Sequence, residues 1–197
     1  MSVALDPAAR ARILDFVKPL SVSLDGMTNF GFVERRLGVV ERLLEESRRL
    51  DPALAVDEDL LFLLAAFAGL PERRVAPGSR ADLLLRSAGI AEETLSQLYR
   101  SLRRFEASPA RVEESLVRDA GLLETVGAYG VAQAIVAGVH DRMTLRELAE
   151  DIDAKMASAS FSTEVARRLA VDRIELGQHF ARRLAAEVEE FEKPDPA

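Results

Sequence analysis

The sequence predicts an all-α protein of about eight helices. Three observations carry that expectation. Apolar residues recur with the helical period almost throughout. No segment alternates apolar and polar residues as a half-buried strand does. The periodic segments are separated by stretches with turn chemistry, such as "SVSLDGMTNFG" and "LPERRVAPGS".

Taken in order, Ile13, Phe16, Val17 and Leu20 mark a first helix, which Pro19 stops at or shortly after that point. A loop follows through "SVSLDGMTNFG". Val33, Leu37, Val40 and Leu44 form the apolar stripe of a second helix over about residues 30–50. "DPALAVD" connects, with Asp57 placed to cap the next helix. "EDLLFLLAAFAG" is apolar on nearly every side, which predicts a central, buried helix. "LPERRVAPGS" reads as loop, and "RADLLLRSAG" as a short helix closed by Gly89. Leu95, Leu98, Leu102 and Phe105 share one face of the next helix. After "ASPA" the helical pattern resumes near Arg111. It runs without a proline through "LVRDAGLLETVGAYGVAQAIVAG", read here as one continuous helix. Thr144 and Glu147 have capping-box spacing ahead of Leu148. The last helix is long, with Val165, Leu169, Leu176, Phe180, Leu184 and Val188 as its buried edge.

The 197 residues suffice for one domain with a real core. The expectation is a single domain over 1–192 and a frayed tail at 193–197. Hydrophobic residues at 48% and charged residues at 30% fit an ordinary globular protein. With no Cys, disulfides, thiolate metal sites and a cysteine nucleophile are excluded. The net charge is −7 and the arginines are interspersed with acids, which argues against nucleic acid as a partner. The first sixteen residues lack a signal-peptide core, and no apolar run approaches the ~20 residues of a membrane span. A cytoplasmic protein with no membrane partner is expected.

Few residues offer chemistry. There are two histidines. His140, beside Asp141, has ligand-pair composition, but it follows the helix end at Gly138, where a surface histidine suits the helix dipole. His179, between Leu176 and Phe180, reads as a partly buried packing residue. The acid pairs Glu45-Glu46, Glu92-Glu93, Glu113-Glu114 and Glu189-Glu190 read as solvated helix surface. Asp119 has two readings: a metal ligand, or an acid of the first helical turn with a local ion-pair partner.

"VRDAGLLETVGAYGVAQA" resembles a segment of bacterial HD-domain metal-dependent phosphohydrolases that reads close to V-x-D-A-D-x-L-D-A-x-G-A-x-G-I-A-R. "STEVARRLAVDRIELGQHFARRLAAE" resembles that group's closing helix. "FVERRLGVVERLL" resembles its first-ligand helix, usually H-x-x-R-V, and "LLFLLAAFAGLPERR" the helix that usually ends A-A-x-x-H-D. The resemblance covers most of the chain and implies an HD-domain-like helical bundle. In that family a His, an adjacent His-Asp and a late Asp hold one or two divalent ions, which acidify a bound water and screen phosphate charge.

Carried over residue by residue, the first His falls on Phe32, with Arg35 matching the motif's Arg. The His-Asp pair falls on Ala68-Gly69, or on Gly69-Leu70 with a one-residue slip. Asp119 matches the last ligand. The second acid of D-A-D is replaced by Gly121, and the later Asp by Glu124. Three of four ligands are thus side chains that coordinate nothing. The resemblance implies a catalytically degenerate member with no catalytic residue, no metal and no cofactor. It would bind a partner protein or a small ligand in the old cleft, near Phe32, Arg35, Ala68, Gly69, Glu72, Asp119 and Glu124. Phe32 fills that cleft, and Ala68-Gly69 shrinks its far wall. On Asp119's helix, Gly127, Ala128 and Gly130 would admit a neighbouring helix closely.

Two alternatives stand beside it. One is a metal-dependent phosphohydrolase with a rebuilt site of Asp119, Glu124, His140 and Asp141. The objection is that 21 residues of straight helix separate Asp119 from His140 by roughly 31 Å. The other is an assembly role, such as a homodimer through the last helix.

Overall fold

The computed structural model describes residues 5–21 and 30–192. These are all-α, with nine helices longer than one turn and no strand among the described residues. In order they are α1 (Pro7–Val17), α2 (Phe30–Leu50), α3 (Glu58–Phe67), the single turn α4 (Glu72–Val75), α5 (Arg80–Ser87), α6 (Glu92–Arg104), α7 (Val112–Thr125), α8 (Gly127–His140), α9 (Leu145–Ser158) and α10 (Glu164–Glu192). Most of the loop expected over 21–31 and the expected frayed tail lie outside the described residues.

The helix starts follow from their caps. Asp6, Asp57, Ser79 and Thr144 each accept a hydrogen bond from a backbone N–H of the first turn, satisfying donors a helix otherwise leaves open. The capping box of Thr144 and Glu147 is complete. Against expectation, the "LPERRVAPGS" loop contains α4.

The chain forms two compact units, Met1–Ala120 and Gly121–Ala197. In the first, α3 is the centre: every residue from Leu60 to Phe67 is buried. It packs on α1, α2 and α6, while α4 and α5 pack on each other and on α6. In the second unit, α10 lies along α9 and α8, which also pack together. The buried line of α10 is made largely of small residues, with Ala166, Ala170, Gly177 and Ala181 between Val165 and Val188. Leu176, expected on that edge, is 49% exposed. Gly177 faces inward in its place, so close to Met156 that an added Cβ would lie 2.6 Å from its sulfur.

The helix read as continuous from Leu116 to Gly138 is broken. α7 ends at Thr125, and α8 leaves Val126 at a bend of 67°. No proline is needed. Gly127 has φ +77°, a conformation a residue with a Cβ rarely adopts. Arg173 of α10 donates from Nη1 to the Leu123 carbonyl at 2.7 Å, satisfying one of the acceptors the broken helix exposes. Among the described residues no single helix is long and apolar enough to cross a membrane.

Candidate functional site

Phe32 sits in the first turns of α2, half-buried. Four residues on, and so on the same face, is Arg36. Its guanidinium lies over the Phe32 ring, 4.5 Å from the centroid. Nη1 donates to the Ala68 carbonyl at 2.6 Å and to the Ala65 carbonyl at 3.4 Å. Those carbonyls are the open acceptors at the C-terminal end of α3, where the helix dipole favours a cation. Arg36 is only 6% exposed. Burial in a low dielectric strengthens these contacts and would make their loss costly.

Phe32 and Ala68, expected at one cleft, are therefore brought together, and the group joining them is Arg36. Arg35, the arginine matched to the family motif, is exposed. By spacing alone positions 35 and 36 both share the face of Phe32, so the sequence does not choose between the two arginines. Gly69 has φ +80°, and an added Cβ would meet only the Arg36 guanidinium at an ordinary 3.7 Å. Glycine is required there by the backbone conformation, not by crowding.

The same turn opens a cavity of about 620 Å³ in the first unit. Its apolar wall includes Leu70, Val75, Leu102 and Phe105. Glu72, Arg103 and Glu106 bring charge to it. Glu72 accepts from Arg103 Nε at 2.6 Å, tying α4 to α6. Tyr99 completes the lining, and its hydroxyl donates to Asp82 Oδ1 at 2.7 Å. Asp82 also accepts from Gly78 N at 2.8 Å and Arg86 Nε at 2.9 Å. The Tyr99 bond, followed by that of Gly78, holds the Asp82 carboxyl below the usual carboxylate range. Burial, with the carboxylate beside it, raises the Tyr99 phenol above its ordinary value.

Asp119 is fully buried in the middle of α7. It is therefore not an acid of the first turn. That role belongs to Glu113 and Glu114, which are not solvated surface as expected but buried. Glu113 accepts from Asp57 N at 2.8 Å, at the cap of α3. Glu114, 0% exposed, accepts from Ser101 Oγ at 2.5 Å, Arg104 Nη2 at 2.7 Å and Ala110 N at 2.7 Å. Burial opposes its ionisation, but these donors outweigh burial and hold its carboxyl below the usual range. The adjacent acids thus anchor the start of α7 to α3 and to the end of α6.

Glu124 is buried and belongs to the second unit. Gly127 approaches Arg173 closely, as expected of a helix contact, but Gly130 is small for its own chain's sake: a Cβ there would collide with the Thr125 carbonyl. Ala128 is exposed. His140 ends α8 at the surface, and His179 is exposed rather than packed. No group of three or more His, Asp or Glu among the described residues is placed to hold a metal ion.

No protein-family model and no curated protein matches this chain. Solved structures do. Bacillus subtilis YpgQ is 17% identical with a TM-score of 0.68, over 92% of this chain and 96% of that one. A crystal structure of YpgQ in complex with ADP gives 18% identity and 0.65, over 91% and 95%. The Lin1889 protein from Listeria innocua is 15% identical at 0.67, over 92% and 96%. At these identities the likeness is one of fold, and the chain has the all-α, HD-like fold of YpgQ.

Proposed function

We propose that this chain is an HD-like protein that binds a small, largely apolar ligand and does not hydrolyse phosphate esters. The observation that carries the reading is Arg36. At the positions matched to the family's first His and His-Asp pair stand a phenyl ring, a methyl and a glycine, none of which donates an electron pair to a cation. Between Phe32 and Ala68 lies a buried guanidinium bonded to the end of α3. A fixed positive charge there repels a divalent ion. The residues do not fit a metal.

The cavity beginning at Gly69 is the ligand site in this reading. Its volume lies within the range of small-molecule pockets. YpgQ has been crystallised with ADP. Here Glu72 and Glu106 face a pocket with one arginine already ion-paired, which disfavours a diphosphate and favours an apolar body with a neutral or cationic polar end.

The experiment is a fluorescence titration with N-phenyl-1-naphthylamine, an apolar amine, on the full chain. Saturable one-to-one binding is expected, unaffected by excess ADP and lost in Leu102→Arg. An enzyme with stoichiometric Mn, Fe or Zn and metal-dependent turnover of nucleotides would overturn the proposal. So would probe binding indifferent to Leu102→Arg in a variant that melts as the parent does.

A further inference from the structure

The cavity that opens at Gly69 has two walls. One is the stretch from Gly69 to Ala76, the other the last turns of α6 with the two residues that follow. Its charges do not cancel. Three charged side chains line it, Glu72, Arg103 and Glu106. Arg103 is occupied by Glu72, to which its Nε donates at 2.6 Å. Glu106 is exposed, and among the described residues its carboxylate makes no ion pair. Arg73, Arg74 and Arg104 are near in sequence but do not line the cavity, and Arg104 is held by the buried Glu114. α6 ends at Arg104, so the negative end of its dipole lies at this wall. Two aromatic side chains, Tyr99 and Phe105, share the lining with Leu102 and Val75.

Taking this cavity as the ligand site proposed above, we infer that it selects an apolar organic cation, such as an aryl-substituted ammonium, and that Glu106 reads the charge. A carboxylate at the mouth of an apolar cavity attracts a cation and repels an anion, more strongly than in bulk water. Aromatic rings add to the preference, since their faces attract weakly hydrated cations. A small inorganic ion gains nothing from apolar walls. An apolar cation can bury its body against Leu102 and Val75 while its charge stays at the wet mouth, beside Glu106. A neutral ligand would leave that carboxylate unanswered, and an anion would meet two carboxylates against one arginine.

Tetraphenylphosphonium and tetraphenylborate have nearly the same shape and opposite charge. Calorimetric titration of the full chain in sodium buffer should give one site for the cation, about tenfold or more tighter than for the anion. The whole chain is negative, so Glu106→Gln is compared with Glu189→Gln, which removes the same charge from an exposed position of α10. Glu106→Gln should weaken tetraphenylphosphonium about tenfold and leave neutral N-phenyl-1-naphthylamine within about twofold. Glu189→Gln should leave both within about twofold. Naphthylamine binding with cation and anion bound alike would overturn the inference and leave the ligand site standing. So would equal losses of cation affinity in the two variants. Failure of the naphthylamine and of both tetraphenyl ions to bind would remove the site and the inference together.

Discussion

The two units of this chain use the same helical period and pack by different means. The first is held by bulk and by buried charge. Leu60, Leu63, Leu64 and Phe67 fill its centre, and Arg36, Asp82, Glu113 and Glu114 tie helix ends together from inside. The second is held by proximity. Gly127 and Gly138 admit neighbouring side chains that an added carbon would crowd, Gly177 admits Met156 where an added carbon would collide, and Gly130 clears the Thr125 carbonyl of its own chain. A large apolar core tolerates imperfect sequence, and a close backbone approach does not. The first unit should therefore lose stability when a polar tether is cut, and the second when an atom is added.

The largest expected effect sharpens that contrast. Gly130→Val drives a side chain into the Thr125 carbonyl, which is backbone and cannot swing aside. A loss of about 3 kcal/mol or more in urea unfolding is expected. A cost under ~1 kcal/mol would show that the second unit is not close-packed at the bend. Next, Arg36→Met keeps volume but removes two carbonyl bonds and the contact with Phe32, and should cost about 2 kcal/mol. Arg35→Met, at an exposed position, should stay within about 0.5 kcal/mol. Equal losses would dissolve the distinction between the two arginines.

Glu114→Gln should cost about 1–2 kcal/mol at neutral pH, since Arg104 keeps partial access to water. It also sets a pH dependence. The folded Glu114 and Asp82 carboxyls lie below their ordinary values of 4.5 and 3.8. Their contribution is full above those values and is lost as pH falls through the lowered folded ones. The melting temperature should hold near neutrality and drop below about pH 4.5, less steeply in Glu114→Gln than in the parent. The smallest effect is Thr144→Ala, which opens the capping box of α9 for about 1 kcal/mol, read by thermal melting.

Helix positions were legible because burial imposes a period on sequence, and caps such as Asp57 and Thr144 impose a residue type. The buried α3 was legible for the same reason. What local sequence does not carry is the partner of a polar group distant along the chain. Glu113 and Glu114 have the composition of a solvated first turn, yet their partners sit 56, 13 and 10 residues away. The bend at Val126 was missed because a glycine inside an apolar run is read as permissive, although here it sets a turn. At the site, Phe32 and Ala68-Gly69 could be singled out by resemblance to a family pattern, but the cation between Phe32 and Ala68 could not be placed without α3 beside α2. The cavity lined by Leu102 and Phe105 had no signal in the sequence, because those residues read equally well as core.

The bond from Arg173 to the Leu123 carbonyl spans 50 positions. A ribosome delivers the acceptor long before the donor, so α7 and its bend emerge with that oxygen facing solvent and the glycine crevice unoccupied. Maturation of this half of the molecule must wait for α10 to leave the exit tunnel.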